Sequence, residues 1–115
     1  MHPTIQKYKE AWEQRNVKLL KDIFTPDAIY QYRPWEAASG LLEIEKYWAE
    51  KIIERQISVS FHVERERHFG SELWLEWNAV VGLKDRAAPV ELTGTMIIEL
   101  AEDGRIKRLV EYYFY

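Results

Sequence analysis

One carboxylate stands in an unusual setting near the end of this sequence. In Leu109-Val110-Glu111-Tyr112-Tyr113-Phe114-Tyr115, Glu111 is followed at once by four aromatic residues. A carboxylate among apolar neighbours either pairs with a cation or keeps its proton to higher pH. A carboxylate that titrates near neutrality is equipped for acid–base chemistry. Tyr30 and Tyr32 share one face of a short predicted strand. Paired phenols can donate to a ligand carbonyl or hold a water; the plainer alternative is rim packing with the hydroxyls in solvent. Trp12, Trp48, Trp77, Met96 and Tyr113 are the large side chains expected to wall the same space. Trp12 and Trp48 are first of all core residues on helix stripes, able to form cavity walls while serving as core. Met96 suits a wall because a thioether fills irregular gaps.

Groups of this kind need a fold that holds them. The 115 residues suffice for one domain with one core, spanning 1–115. Aromatic residues make up 14%, including five Trp, which suits either a cavity with aromatic walls or a core of large side chains. The net charge of −3 is mild and both signs are mixed along the chain, so no nucleic-acid footprint is expected. No apolar run approaches the roughly 20 residues of a membrane span. Met1-His2-Pro3-Thr4 shows no basic-then-apolar leader, and a cytoplasmic location is the expectation. The sequence has no Cys, which removes disulfides and thiol chemistry. His2, His62 and His68 lack ligand-like spacing, and no phosphate loop or nucleophile elbow occurs, so neither a metal site nor a cofactor is expected.

Periodicity places the elements. Ile5, Tyr8, Ala11 and Trp12 recur at helical spacing behind Thr4 as N-cap. Asn16 is expected to cap a second helix over Val17–Phe24, stopped by Thr25-Pro26. Ala28–Arg33 reads as a strand, Pro34–Gly40 as a loop, and Leu42–Ile53 as a helix with Ile44, Tyr47, Trp48 and Ile52 on one stripe. From Gln56 the period changes to 2. Strands are predicted from Ile57, across Leu73–Val81 and Val90–Leu100, and after the Asp103-Gly104 turn. Helices followed by hairpin-linked strands predict an α+β domain, its helices on the hollow face of a curled, mainly antiparallel sheet. Parity leaves Glu111 open: Ile106, Val110, Tyr112 and Phe114 form one alternate set, Leu109, Glu111, Tyr113 and Tyr115 the other, and both carry large apolar residues.

This order of elements resembles the nuclear-transport-factor-2-like superfamily, especially its SnoaL-like branch. The carrying stretches are Tyr8 through Trp12, Leu20 through Phe24, Tyr30-Gln31-Tyr32-Arg33-Pro34-Trp35, Gly40 through Trp48, and Asp103-Gly104-Arg105-Ile106 through Glu111-Tyr112. The resemblance implies a cystatin-like α+β cone. Gly104, Ile106, Leu109, Glu111 and Tyr112 also fall on the last-strand pattern of limonene-epoxide-hydrolase-like members, which would put Glu111 at the catalytic-carboxylate position, pointing into the cone. Tyr30 would match those hydrolases' water-binding Tyr, and Tyr32 would fall at an Asn that helps hold the water. Their Arg and second carboxylate correspond to Trp77 and Ala79, so the acid–base pair of epoxide hydrolysis is not expected here.

The resemblance implies a small, mostly apolar ligand with one or two polar atoms near Glu111 and the tyrosines. Any reaction would be isomerisation, cyclisation or dehydration of a carbonyl compound, with Glu111 moving the proton and Tyr30 or Tyr32 polarising the oxygen. A non-catalytic binding protein or dimeric scaffold is the alternative. A cavity of a few hundred cubic ångströms would favour the first reading and a cone filled by Trp side chains the second. Trp74 and Val80 on the outer sheet face would be an apolar liability in a monomer, so a homodimer through that face is expected.

Overall fold

A computed structural model describes residues 1–114. Helix α1 (Pro3–Gln14) starts because Pro3 sits at its first turn and His2, not Thr4, caps it: the Thr4 N–H donates to His2 Nδ1 at 3.1 Å. Thr4 instead donates its hydroxyl to the Gly104 carbonyl at 2.6 Å, tying α1 to the last turn of the sheet. Arg15 ends the helix in a left-handed conformation. Asn16 caps the next segment through its side chain, but that segment is a short 3-10 helix, Val17–Asp22, rather than a helix to Phe24.

Strand β1 therefore begins earlier than expected and runs Phe24–Arg33 through Pro26. Pro26 is tolerated because the ladder to the neighbouring strand is interrupted between Phe24 and Ile29, so its missing N–H breaks no pair. Pro34-Trp35 is only a turn: Glu36–Ser39 is not loop but β2, paired antiparallel with β1. Helix α2 (Leu41–Trp48) widens into a π-helical turn over Ala49–Ile53 and buries Ile44, Trp48 and Ile52. Strands β3 (Gln56–Phe69), β4 (Glu72–Leu83), β5 (Val90–Leu100) and β6 (Ile106–Phe114) complete the regular elements among the described residues.

The six strands form one sheet in the order β2-β1-β6-β5-β4-β3, antiparallel except where β1 pairs parallel with β6. The helices cover its inner face: α1 packs on β3, and α2 on β1 and β2. The Glu13 carboxylate pins α1 there, accepting the Phe61 N–H at 2.9 Å and the Lys9 ammonium at 2.7 Å. The fold is the α+β cone expected, with Leu73, Leu75, Trp77, Ala79 and Val81 of β4 all buried on the inner face.

Strand β6 departs from strict alternation. Ile106 pairs with Leu100 but Arg108 pairs with Glu99, so Lys107 is an extra residue. The bulge turns Ile106 and Leu109 to the same face. Glu111 and Tyr113 follow Leu109 inward. Tyr115 of that alternate set lies outside the described residues.

Gly94 sits between two large inner-face residues, paired with Trp77 on one side and Tyr113 on the other. A Cβ at this position would fall 2.2 Å from the Tyr112 carbonyl oxygen and 2.8 Å from Tyr113 Cβ. Gly94→Ala is expected to cost about 1–3 kcal/mol through forced backbone shifts, read as a lower urea midpoint. An unchanged midpoint would show that β5 and β6 separate freely at this row.

Candidate functional site

The row Leu75–Met96–Glu111 crosses the inner face of β4, β5 and β6, and the next row is Trp77–Gly94–Tyr113. Because β6 is flanked by β1 and β5, Glu111 lies near the middle of the sheet and is only 7% exposed. Tyr8 reaches it from α1, donating its hydroxyl to Glu111 Oε1 at 3.1 Å. Tyr30, whose Cα partner is Leu109, supplies a second phenol from β1. Both phenols are buried, and a buried phenol needs such a partner.

Burial pushes the Glu111 carboxyl up to about 7, while hydrogen bonds from Tyr8 and Tyr30 pull it back down. Tyr8 and Tyr30 are themselves held well above the ordinary phenol range by burial and then by the charge of Glu111. Tyr47 is raised for the same two reasons. The tyrosines therefore stay protonated donors, and Glu111 is the group whose charge changes near neutral pH. Removing the Tyr8 hydroxyl removes a stabiliser of the ionised form. Tyr8→Phe is accordingly expected to move the Glu111 titration further above 7, as followed by carboxyl carbon NMR. A fall or no change would remove Tyr8 from the pair.

Glu111 faces a small hollow of about 80 Å³, walled by Tyr8, Trp12, Tyr30, Tyr47, Trp77 and Tyr113, with Lys51, Ile52, Gln56 and Leu92 completing the lining. The Trp12 indole N–H donates to Gln56 Oε1 at 2.9 Å, which fixes that ring in place. At about 30 Å³ per water, the hollow has room for two or three waters. It is smaller than the few hundred cubic ångströms that would have favoured ligand chemistry outright. Trp48 and Met96 do not line it. Trp48 packs edge-on behind Tyr8, centroids 5.8 Å apart, and Met96 is fully buried beside Glu111. Tyr32 is also outside the hollow, stacked on Tyr47 with centroids 4.0 Å apart. It lines an open depression of about 450 Å³ with Arg33, Pro34, Trp35, Tyr112 and Phe114, which Glu111 and Tyr113 also border.

Tyr8 and Tyr47 are the functional candidates that helix periodicity left among the core. The signal for Tyr8 lay in its own chemistry: a phenol on the same stripe as Trp12 must find a buried acceptor. Among the described residues Glu111 is the only buried carboxylate. Trp77 and Ala79 both face inward, and among the described residues no ion pair and no second buried acid accompanies Glu111. No group of residues suited to a metal ion occurs among the described residues.

The curled sheet with helices across its hollow face defines the class of fold. The chain belongs to the SnoaL-like domain family, which matches residues 5–109. No curated protein matches it. Its fold is shared with a Catenulispora acidiphila protein of ketosteroid isomerase-like fold solved with trimethylamine (TM-score 0.84, 15% identity, 96% of this chain and 84% of that one). A putative scytalone dehydratase from Novosphingobium aromaticivorans superposes with TM-score 0.83 at 17% identity, over 97% of this chain and 80% of its own. An LEH-like epoxide hydrolase from M. tuberculosis gives 0.79 at 13% identity, over 96% and 80%. At these identities the likeness concerns the fold.

Proposed function

We propose that this SnoaL-like chain acts as one domain, 1–115, that binds a small, mostly apolar molecule and meets one polar atom of it with Glu111. The observation that carries the reading is the Tyr8–Glu111 pair: an acid held near neutrality at the wall of a hollow it can serve. A carboxylate buried without a counter-ion costs stability, and such costs concentrate at functional sites. The hollow accepts only the head of a ligand. Anything larger must extend towards the Tyr32–Trp35 depression, which shares Glu111 and Tyr113 with it.

If the ligand is turned over, Glu111 is the proton carrier, and Tyr8 and Tyr30 are the donors that steady its charge or a developing oxyanion. Tyr32, which the sequence paired with Tyr30, stands at the rim and touches the outer part of the ligand instead. Proteins that share this fold include one named a putative scytalone dehydratase and one named an LEH-like epoxide hydrolase. Dehydration or isomerisation needs one mobile proton and suits the equipment here. Epoxide opening needs a second acid, and among the described residues Glu111 is the one buried carboxylate.

The smallness of the hollow favours a second reading, a dimeric scaffold whose cone is core. Both readings include self-association. Trp74, Val80, Tyr112 and Phe114 share the outer sheet face and are 38–70% exposed, a patch suited to a second copy. Native mass spectrometry of freshly purified protein separates the readings. The expected species has twice the 13.8 kDa chain mass plus a small bound ligand. A ligand-free dimer that also fails to bind any small molecule supports the scaffold, and a monomer removes the dimer. No helix is long and apolar enough to cross a membrane, and a cytoplasmic location remains part of the proposal.

A further inference from the structure

Two indoles line the inner hollow, and their N–H groups are treated differently. Trp12 donates to Gln56 Oε1 at 2.9 Å. The Trp77 Nε1–H is buried with no acceptor among the described residues. Trp77 stands one row along the sheet from Glu111, paired with Gly94. Gly94 carries no side chain, so the indole meets Tyr113 across that row, centroids 6.3 Å apart. The Trp48 Nε1–H is also without an acceptor, but Trp48 does not line the hollow. Trp77 differs in sharing a space of about 80 Å³ with the one buried carboxylate of the described residues.

A buried N–H without an acceptor costs stability, and such groups are nearly always partnered. For Trp77 the partner within reach is an occupant of the hollow. Water can serve when no ligand is bound. A ligand that displaces the water keeps the bond only by bringing an acceptor of its own. The nearby phenols are already engaged: Tyr8 donates its single hydroxyl hydrogen to Glu111, and Tyr30 is hydrogen-bonded to the same carboxylate. The hollow therefore offers a donor at Trp77 and, above neutral pH, an anion at Glu111. An anionic ligand is repelled by that carboxylate. A hydroxyl both donates and accepts, so it can turn to either wall. A carbonyl oxygen only accepts, so it is drawn to the indole and kept from the carboxylate. A carbonyl carbon, its oxygen and one neighbouring carbon are three heavy atoms, comparable with the two or three waters the hollow holds.

We propose that the Trp77 Nε1–H is the donor to the ligand's oxygen, and that the ligand is a neutral aldehyde or ketone entering oxygen first, with the carbon beside the carbonyl left to Glu111. The proposal rests on the reading of the hollow as a ligand site and names the ligand's class.

The test uses acetone and 2-methylpropene, which differ by an oxygen in place of a methylene group. Both are titrated by NMR into the isotope-labelled full chain at pH 8, where Glu111 is mostly ionised. Occupancy is read from the indole resonances of Trp12 and Trp77, since both rings line the hollow. The Trp77 N–H proton is expected further downfield with acetone bound than with 2-methylpropene bound, and the Trp12 N–H proton at the same place with both. The Trp77 resonance is assigned by its loss in Trp77→Phe. If that variant does not fold, contacts to the Phe61 and Tyr113 rings assign it in the wild type, and the wild-type positions alone decide. In Trp77→Phe the affinity for acetone should fall roughly fivefold to tenfold relative to that for 2-methylpropene, because the lost ring volume affects both alike. An unchanged ratio, equal Trp77 N–H positions with the two probes bound, or binding of 2-methylpropene alone overturns Trp77 as the oxygen donor and leaves the hollow as a ligand site. Binding of neither probe overturns both.

Discussion

Glu111→Gln is expected to stabilise the protein progressively, relative to the wild type, as pH rises from 5 to 8. The carboxyl titrates at about 7 in the folded chain against 4.5 for an ordinary Glu. Between those values the folded state holds a proton that the unfolded state has released. Stability from this group is therefore complete below the unfolded value and is lost as pH rises through the folded one. At about 1.4 kcal/mol per pH unit, the loss between pH 5 and pH 8 is about 2–3 kcal/mol. Glutamine is neutral throughout and its carbonyl can still accept the Tyr8 hydroxyl, so the variant escapes the loss. Urea unfolding of both proteins at the two pH values gives the difference directly, and other titrating groups cancel in it. A difference that does not change with pH would mean that Glu111 ionises as it does in water. A variant that gains stability and loses ligand binding or turnover would mark the carboxylate as retained for function.

Trp77→Ala is expected to have the largest effect on folding. The ring is 2% exposed and meets Trp12, Phe61 and Tyr113 with centroids 5.9, 5.7 and 6.3 Å apart. Deleting a buried Trp typically costs about 3–5 kcal/mol, from lost transfer energy and the cavity left behind. Against a total of about 5–15 kcal/mol, that is a large fraction. The urea midpoint should fall steeply with little change in slope. The same change should enlarge the hollow beside Glu111, so that the variant binds a benzene-sized probe more tightly than the wild type does. A loss below about 1 kcal/mol would show that the neighbouring rings collapse into the space.

Much of this architecture was legible because one sheet face is dry. In β4, Leu73 through Val81 alternate without error, and Trp74 and Val80 fall outside as the parity predicts. The Asp103-Gly104 turn was legible from its chemistry; Gly104 adopts φ +87°, which suits glycine. The strand that matters most was the least legible. Lys107 adds a residue to β6, and a single bulge exchanges the faces of everything before it. Leu109, Val110 and Glu111 are then buried in succession, because β6 lies inside the sheet between β1 and β5. No alternating pattern could show which side Glu111 takes; the resemblance in the last strand pointed it inward, and there it lies.

The remaining differences have local causes. Thr4 looked like the cap of α1, but His2 accepts from its N–H and frees the Thr4 hydroxyl for Gly104. A proline normally demotes a strand, yet Pro26 falls in the gap of the β1–β6 ladder. The set of cavity-lining residues depends on rotamers and on how three indoles share one cone, and periodicity carries no information on either. Trp48 and Met96 are inward as expected but lie behind the walls rather than on them.

The function proposed for this cone stands on Glu111 being an uncompensated acid inside it, held by Tyr8 and Tyr30. Carboxyl carbon NMR of protein labelled at glutamate side chains, tracked from pH 4 to 9, reads that state without any ligand. The predicted result is one glutamate titrating near 7, well separated from the rest and missing from Glu111→Gln. A spectrum in which every glutamate titrates near 4.5 would contradict it.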